Sequence, residues 1–189
     1  MTNQQTLPLP MALNMTLGES LSKRRTGRAF HASALTDDEL STLLWACAGL
    51  TGDEGRRTVP STLNLKAVSV WVLRDDGAWR YDPAKNQLTH STTTDCRRAS
   101  TTHQFDFVTK APVTLAFVLD HEVANTIRES CFYVDAGTMG QSAYLAATAL
   151  GLSGCIRASF DHKALGEAMA LPDKLEPILM FTVGLPETK

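Results

Sequence analysis

The chain has 189 residues, of which 43% are apolar and 20% charged, and its formal net charge is −2. This suffices for one sizeable core, is tight for two full domains, and supplies no global basic field to draw in nucleic acid or an anionic membrane. The four cysteines (Cys47, Cys96, Cys131, Cys155) form no C-x-x-C pair, and the five histidines do not cluster with them, which argues against zinc and for reduced structural thiols.

No apolar run approaches the roughly 18 residues needed to span a bilayer. Residues 1–15 lack a positive amino-terminal region and are interrupted by Pro8 and Pro10. They read as an extended amino-terminal arm rather than a secretory signal. The expected location is cytoplasmic, and the expected organisation is a single domain over residues 16–189.

In chain order, Thr16 can cap a short helix through Glu19, Leu21 and Lys23 that ends near Gly27. A stronger helix starts at Thr36, where Thr36 and Glu39 form a capping box, Asp37 and Asp38 favour the first turn, and Leu40, Leu43, Leu44 and Cys47 make one face. Ala67–Leu73 is an apolar, β-branched run that reads as a buried strand, with Trp79–Tyr81 able to pair with it across Asp75–Gly77. Residues 89–111 are polar and lack a clear period. Pro112–Leu119 reads as a second buried strand.

The longest helix is expected over Glu129–Leu150, rich in small residues and ended by Gly151. A short strand near Cys155–Ala158, a helix over Asp161–Met169 and a last strand at Pro177–Val183 complete the chain. Strands and helices intermix without strict alternation, which points to an α+β fold rather than a doubly wound sheet.

Three segments carry candidate chemistry. In Arg24-Arg25-Thr26-Gly27-Arg28, three guanidinium forks and a hydroxyl match phosphate oxygens, although cations and a glycine also suit an ordinary helix end. Pro60-Ser61-Thr62-Leu63-Asn64 offers hydroxyls, amides and a carboxamide in a tight turn, which is also common turn chemistry. Gly154-Cys155-Ile156-Arg157-Ala158-Ser159 follows the small-residue helix, and Ser159 could simply cap the next helix. Neither a G-x-G-x-x-G fingerprint nor a G-x-x-x-x-G-K-[ST] loop is present.

Taken in order, these segments resemble the nitroreductase-like flavoproteins, in particular their compact SagB/ThcOx-type branch. The matching stretches are SLSKRRTGRAF (20–30), LTDDELSTLLWACAGL (35–50), RTVPSTLNLKAVSVWV (57–72), residues 132–161 and LPDKLEPILMFTVGLP (171–186). The resemblance implies a mainly antiparallel sheet flanked by helices, a homodimer, and FMN at the subunit interface. It places Arg24, Arg25, Thr26 and Arg28 in the amino-terminal FMN motif and Pro60, Ser61, Thr62 and Asn64 along the isoalloxazine.

It also places Ala158 and Ser159 where backbone approaches flavin N5, and Gln141 on the interface helix. Arg28 or Arg157 would then supply a fixed charge for reduced flavin near N1. The implied activity is NAD(P)H-driven, two-electron, ping-pong reduction of a small organic acceptor such as a nitroaromatic or quinone, without a catalytic side-chain dyad. An azoline oxidase acting on a modified peptide, or a flavin-binding module without turnover, remains open beside it.

Overall fold

The computed structural model describes residues 3–52 and 54–187. Strand β1 (Gln4–Thr6) precedes helices α1 (Leu17–Lys23) and α2 (Asp37–Ala48), followed by a small ribbon of β2 (Leu50–Thr51) and β3 (Arg56–Arg57). Then come β4 (Val68–Arg74), β5 (Gly77–Asp82), β6 (Gln87–Thr92), α3 (Phe105–Lys110), β7 (Val113–Asp120) and α4 (His121–Ala124). The chain closes with α5 (Glu129–Ala149), β8 (Ser153–Arg157), α6 (His162–Ala168) and β9 (Leu175–Gly184).

Seven strands form one sheet in the order β1-β6-β5-β4-β7-β9-β8, with every pairing antiparallel. This is the α+β, mainly antiparallel architecture expected from the sequence. Both faces of the central strands are covered, which explains why β4, β7 and β9 read as nearly continuous apolar runs. Val68, Val70, Val72, Leu115, Phe117 and Phe181 turn towards α2 and α5, whereas Trp71, Leu73, Ala116, Val118 and Met180 turn towards the side of α6.

Each fully buried large side chain contributes about 1.5–3 kcal/mol through removal from water. The larger core is therefore the one beneath α2 and α5, and α5 is fixed firmly upon it. Gly154 lets β8 lie against this core, because a Cβ there would overlap the Phe181 ring.

Local signals at the helix starts behave as expected. Thr16 with Glu19 and Thr36 with Glu39 both form reciprocal capping boxes. The amino-terminal segment is extended in its described part and supplies an edge strand of the main sheet. Gln4–Thr6 pair with Gln87–Thr89, Leu7 is buried, and Ser41 Oγ donates to the Pro8 carbonyl.

Residues 89–111, which show no clear period in the sequence, are largely ordered into regular elements. Their first part lies in β6, paired with β5, and the remainder holds a 3-10 turn (Arg98–Ser100) and α3. Arg97 Nη1 donates to the Ala111 carbonyl at 3.0 Å, and Phe107 packs 6.2 Å from Phe30. All four cysteines are free. Among the described residues there is no cluster of potential metal ligands and no helix long and apolar enough to cross a membrane.

Candidate functional site

The arginine-rich segment does not continue α1. That helix stops at Lys23, and beyond its C-cap, Arg24, the chain runs alongside β8, where the Gly27 N–H donates to the Gly154 carbonyl at 2.9 Å. Gly27 sits at this close approach rather than at a helix cap, and a Cβ there would displace the Ser153 hydroxyl. The alternative of a simple helix terminus therefore applies to Lys23 and not to the arginines that follow.

Tyr144 of α5 ties the segment down. Its phenol lies 3.0 Å from Thr26 Oγ1 and accepts the Ile156 N–H at 2.9 Å, while the Arg24 guanidinium sits 5.1 Å above its ring. A phenol that accepts from Ile156 can give its own hydrogen to Thr26, and in that arrangement the threonine hydroxyl is able to donate outward. Arg25 Nη1 donates to the Ser22 and Arg24 carbonyls, and Arg28 lies exposed beside Cys155. Burial pushes the Cys155 thiol up, and the charges of Arg28 and Arg157 oppose that rise. None of Arg24, Arg25 and Arg28 is paired with a carboxylate among the described residues.

The second segment is held by a different residue of the same helix. Asp135, 7% exposed, accepts the Thr62 N–H at 2.8 and 3.1 Å and the Thr62 hydroxyl at 2.9 Å. Ser61 Oγ accepts the Lys66 N–H at 2.7 Å. Leu63, Asn64 and Lys66 all have positive φ (48°, 56° and 55°), a conformation costly for residues with a Cβ and sustained only where the surroundings impose it. Pro60 and Asn64 remain exposed, and Leu63 is 74% exposed. Arg57 lies beneath, donating from Nη1 to the Val68 carbonyl; burial lowers its pKa, and the nearby Asp135 charge opposes this.

The third segment separates into a buried half and an exposed half. Arg157 is 4% exposed and donates to Thr182 Oγ1 at 2.9 Å and to the carbonyl and hydroxyl of Ser100 at 2.6 and 3.0 Å. Its burial lowers its pKa to about 10. This corrects the sequence reading of Arg157 as a charge offered to a ligand, because its position at the inward-facing end of β8 commits the guanidinium to a neighbouring loop.

Ala158 and Ser159, by contrast, are exposed, and their amides donate to no backbone carbonyl among the described residues. Ser159 does not cap α6; Asp161 does, accepting the Ala164 N–H at 2.9 Å.

The structure thus brings Arg24–Arg28 against Gly154–Ile156 and leaves Ala158 and Ser159 exposed further along the chain, while Pro60–Asn64 is anchored elsewhere on α5. The anchors Asp135 and Tyr144 are nine residues apart, about 13–14 Å along the helix at 1.5 Å per residue. Val134, Thr138, Gln141 and Leu145 form an exposed to half-exposed stripe of α5. Sequence reasoning missed both anchors. An isolated Asp within a buried, small-residue helix was the available signal, since a buried carboxylate needs donors; nothing local distinguished Tyr144.

The Nitroreductase family profile matches residues 21–185. A crystal structure of a Ralstonia eutropha JMP134 protein assigned as a nitroreductase superposes with a TM-score of 0.92 at 33% identity, covering 98% of this chain and 90% of that one. A curated protein of Methanocaldococcus jannaschii, also assigned as a nitroreductase, is 27% identical over 94% of this chain and 95% of its own length. A Desulfovibrio desulfuricans protein assigned as a nitroreductase, solved in complex with FMN, shares the fold with a TM-score of 0.66 at 24% identity, covering 89% and 85%. A profile match over most of the chain, together with a relative at 33% identity across nearly its whole length, places this chain in the nitroreductase family of oxidoreductases.

Proposed function

We propose that the protein is an FMN-dependent oxidoreductase that takes hydride from NAD(P)H and reduces a small organic acceptor, such as a quinone or nitroaromatic, in two alternating half-reactions. The observation that carries this reading is the docking of the arginine segment on β8, through Thr26 and Gly27 at Gly154 and the shared Tyr144 phenol, on the strand that leads into exposed Ala158 and Ser159. This donor set suits a phosphate monoester at one end and an electron-rich heterocycle at the other. The complex of the Desulfovibrio relative with FMN supports the choice of cofactor.

When bound, FMN supplies the hydride chemistry, and the protein supplies binding and orientation. Arg24 and Thr26 would hold the phosphate, with Arg25 adding charge behind them. Arg28 would reach the phosphate or the pyrimidine edge of the flavin, and the amides of Ala158 and Ser159 would face N5. Pro60, Ser61, Thr62 and Asn64 would line the isoalloxazine from the second subunit of a homodimer, because within one chain they are anchored about two and a half turns of α5 away from the arginine segment.

An apolar cleft of about 460 Å³ between α1, α2 and α5, lined by Leu13, Met15, Leu17, Trp45, Leu145 and Ala149, supports a dimer, as does exposed Val134 beside Gln141 on α5.

The test is binding of FMN against riboflavin. The protein is expected to purify yellow as a dimer with about one FMN per subunit. A charge-assisted contact contributes about 1.5–3 kcal/mol, so Arg24→Ala should weaken FMN about tenfold or more while changing riboflavin little. Equal losses for both ligands, or a colourless monomer that takes up no FMN, would overturn the proposal.

A further inference from the structure

The loop that faces Ser159 carries a histidine in a built hydrogen-bond arrangement. His103 Nδ1 lies 3.0 Å from Thr102 Oγ1 and 3.3 Å from Ser159 Oγ, and the two hydroxyls are 3.1 Å apart. The Thr102 N–H donates to the Ser159 carbonyl at 3.2 Å. Two residues earlier, Arg157 grips Ser100 by both its carbonyl and its hydroxyl. Five side chains and a backbone bond thus fasten residues 100–103 to residues 157–159, although 57 positions separate the two segments.

Fixing Nδ1 leaves Nε2 as the outward nitrogen of an exposed ring. Both hydroxyls rotate, so Nδ1 can donate to Thr102 Oγ1 or accept from it, and the arrangement tolerates either protonation state of the imidazole. Of the charged groups on the two segments, Arg98 lies 4.5 Å over the Phe105 ring and Arg157 is committed to Ser100 and Thr182, while Asp106 lies in the first turn of α3. None of the three hydrogen-bonds the imidazole.

We propose that His103 is a catalytic acid for the acceptor half-reaction, with Thr102 and Ser159 as positioning residues. The proposal rests on the placement of Ala158 and Ser159 at flavin N5. For a quinone, the acceptor gains two electrons and one proton as hydride from the reduced cofactor. Its second proton comes from Nε2 of the His103 imidazolium: an O–H bond forms as the N–H bond breaks, Nδ1–H stays on Thr102, and solvent reprotonates Nε2. The same proton suits a nitro oxygen on its way to water. The substrate class is thereby narrowed to acceptors that need a proton alongside hydride.

Stopped-flow reoxidation of NAD(P)H-reduced, FMN-loaded protein tests this with two acceptors, a benzoquinone that needs a proton and ferricyanide that does not. General acid catalysis by a side chain is typically worth 10²–10⁴-fold. His103→Gln should therefore slow the quinone reaction by about that factor and remove the alkaline fall of its pH profile, with a far smaller change against ferricyanide. Thr102→Val should displace that fall along the pH axis, and Thr102→Ser should restore it.

Independently of turnover, the imidazole resonance that His103→Gln deletes from NMR spectra of the apoprotein should shift when FMN is added. Protein that binds FMN and shows the same quinone rate and profile in parent and His103→Gln overturns this proposal alone, as does an unmoved imidazole resonance. Failure to bind FMN overturns the cofactor reading and this proposal together.

Discussion

Two loops are tied to the same helix by opposite means. At one point on α5 a carboxylate, Asp135, gathers three hydrogen bonds from Thr62; at another a phenol, Tyr144, bridges Thr26 and Ile156. Both anchors are buried, and both leave the tips of their loops exposed. The difference lies in what each holds: Asp135 imposes a left-handed backbone on Leu63 and Asn64, whereas Tyr144 secures a chain already following β8. The first loop depends on its tether for its shape, and the second depends on it only for its position.

The sharpest way to break this comparison is at Asp135. Asp135→Ala leaves the half-buried Thr62 amide without its acceptor and the Thr62 hydroxyl with only the Cys131 carbonyl at 3.4 Å, and it removes the charge facing Arg57. An orphaned amide, a weakened hydroxyl contact and a lost charged acceptor should cost about 3 kcal/mol in urea denaturation at fixed protein concentration. A cost within that of a surface substitution would show that the 60–64 loop holds its own conformation.

Tyr144→Phe should cost less, about 1–2 kcal/mol, because the ring and its edge contact with Phe181 at 4.9 Å survive while two hydrogen bonds are lost. Its effect should concentrate on the arginine segment, seen as faster amide exchange at Gly27 and Ile156. Equal destabilisation by Asp135→Ala and Tyr144→Phe would erase the distinction between shape and position. The smallest effect is expected at Thr26→Val, within about 1 kcal/mol of stability for one exposed hydroxyl, yet with measurably weaker FMN binding. A large stability loss there, with FMN affinity unchanged, would make Thr26 part of the tether instead of part of the site.

Much of this architecture is legible in the sequence where the information is local. Thr36 with Glu39 marks a helix start, β-branched runs mark the central strands, and spacing delimits α5 almost to its ends. What escapes is set by partners distant in the chain. Gln4–Thr6 is polar and becomes a strand only because β6 lies beside it, and β6 in turn has Leu88 as its one fully buried residue, too little for a visible alternation. Arg157 illustrates the same limit at the site: its type suggested a ligand contact, and only the tertiary placement of Ser100 and Thr182 reveals an internal clamp. Tyr144 was invisible for the same reason, because both hydrogen-bond partners of its phenol come from other elements.

The pairing of Thr26 with Gly154, and of Phe30 with Pro186, has a consequence for how the molecule is made. A ribosome delivers the arginine segment early, but the strand it must lie against emerges more than a hundred residues later. The nascent chain can therefore complete α1 and α2 from local signals while carrying three unpaired arginines with nowhere to dock. Contacts of such long separation form late, so the candidate site comes into being with the closing of the whole domain. A ligand that recognises only the assembled site stabilises the folded state in proportion to the logarithm of its concentration. Cellular supply of the cofactor would then govern not only how much enzyme is active, but how much finished protein survives quality control.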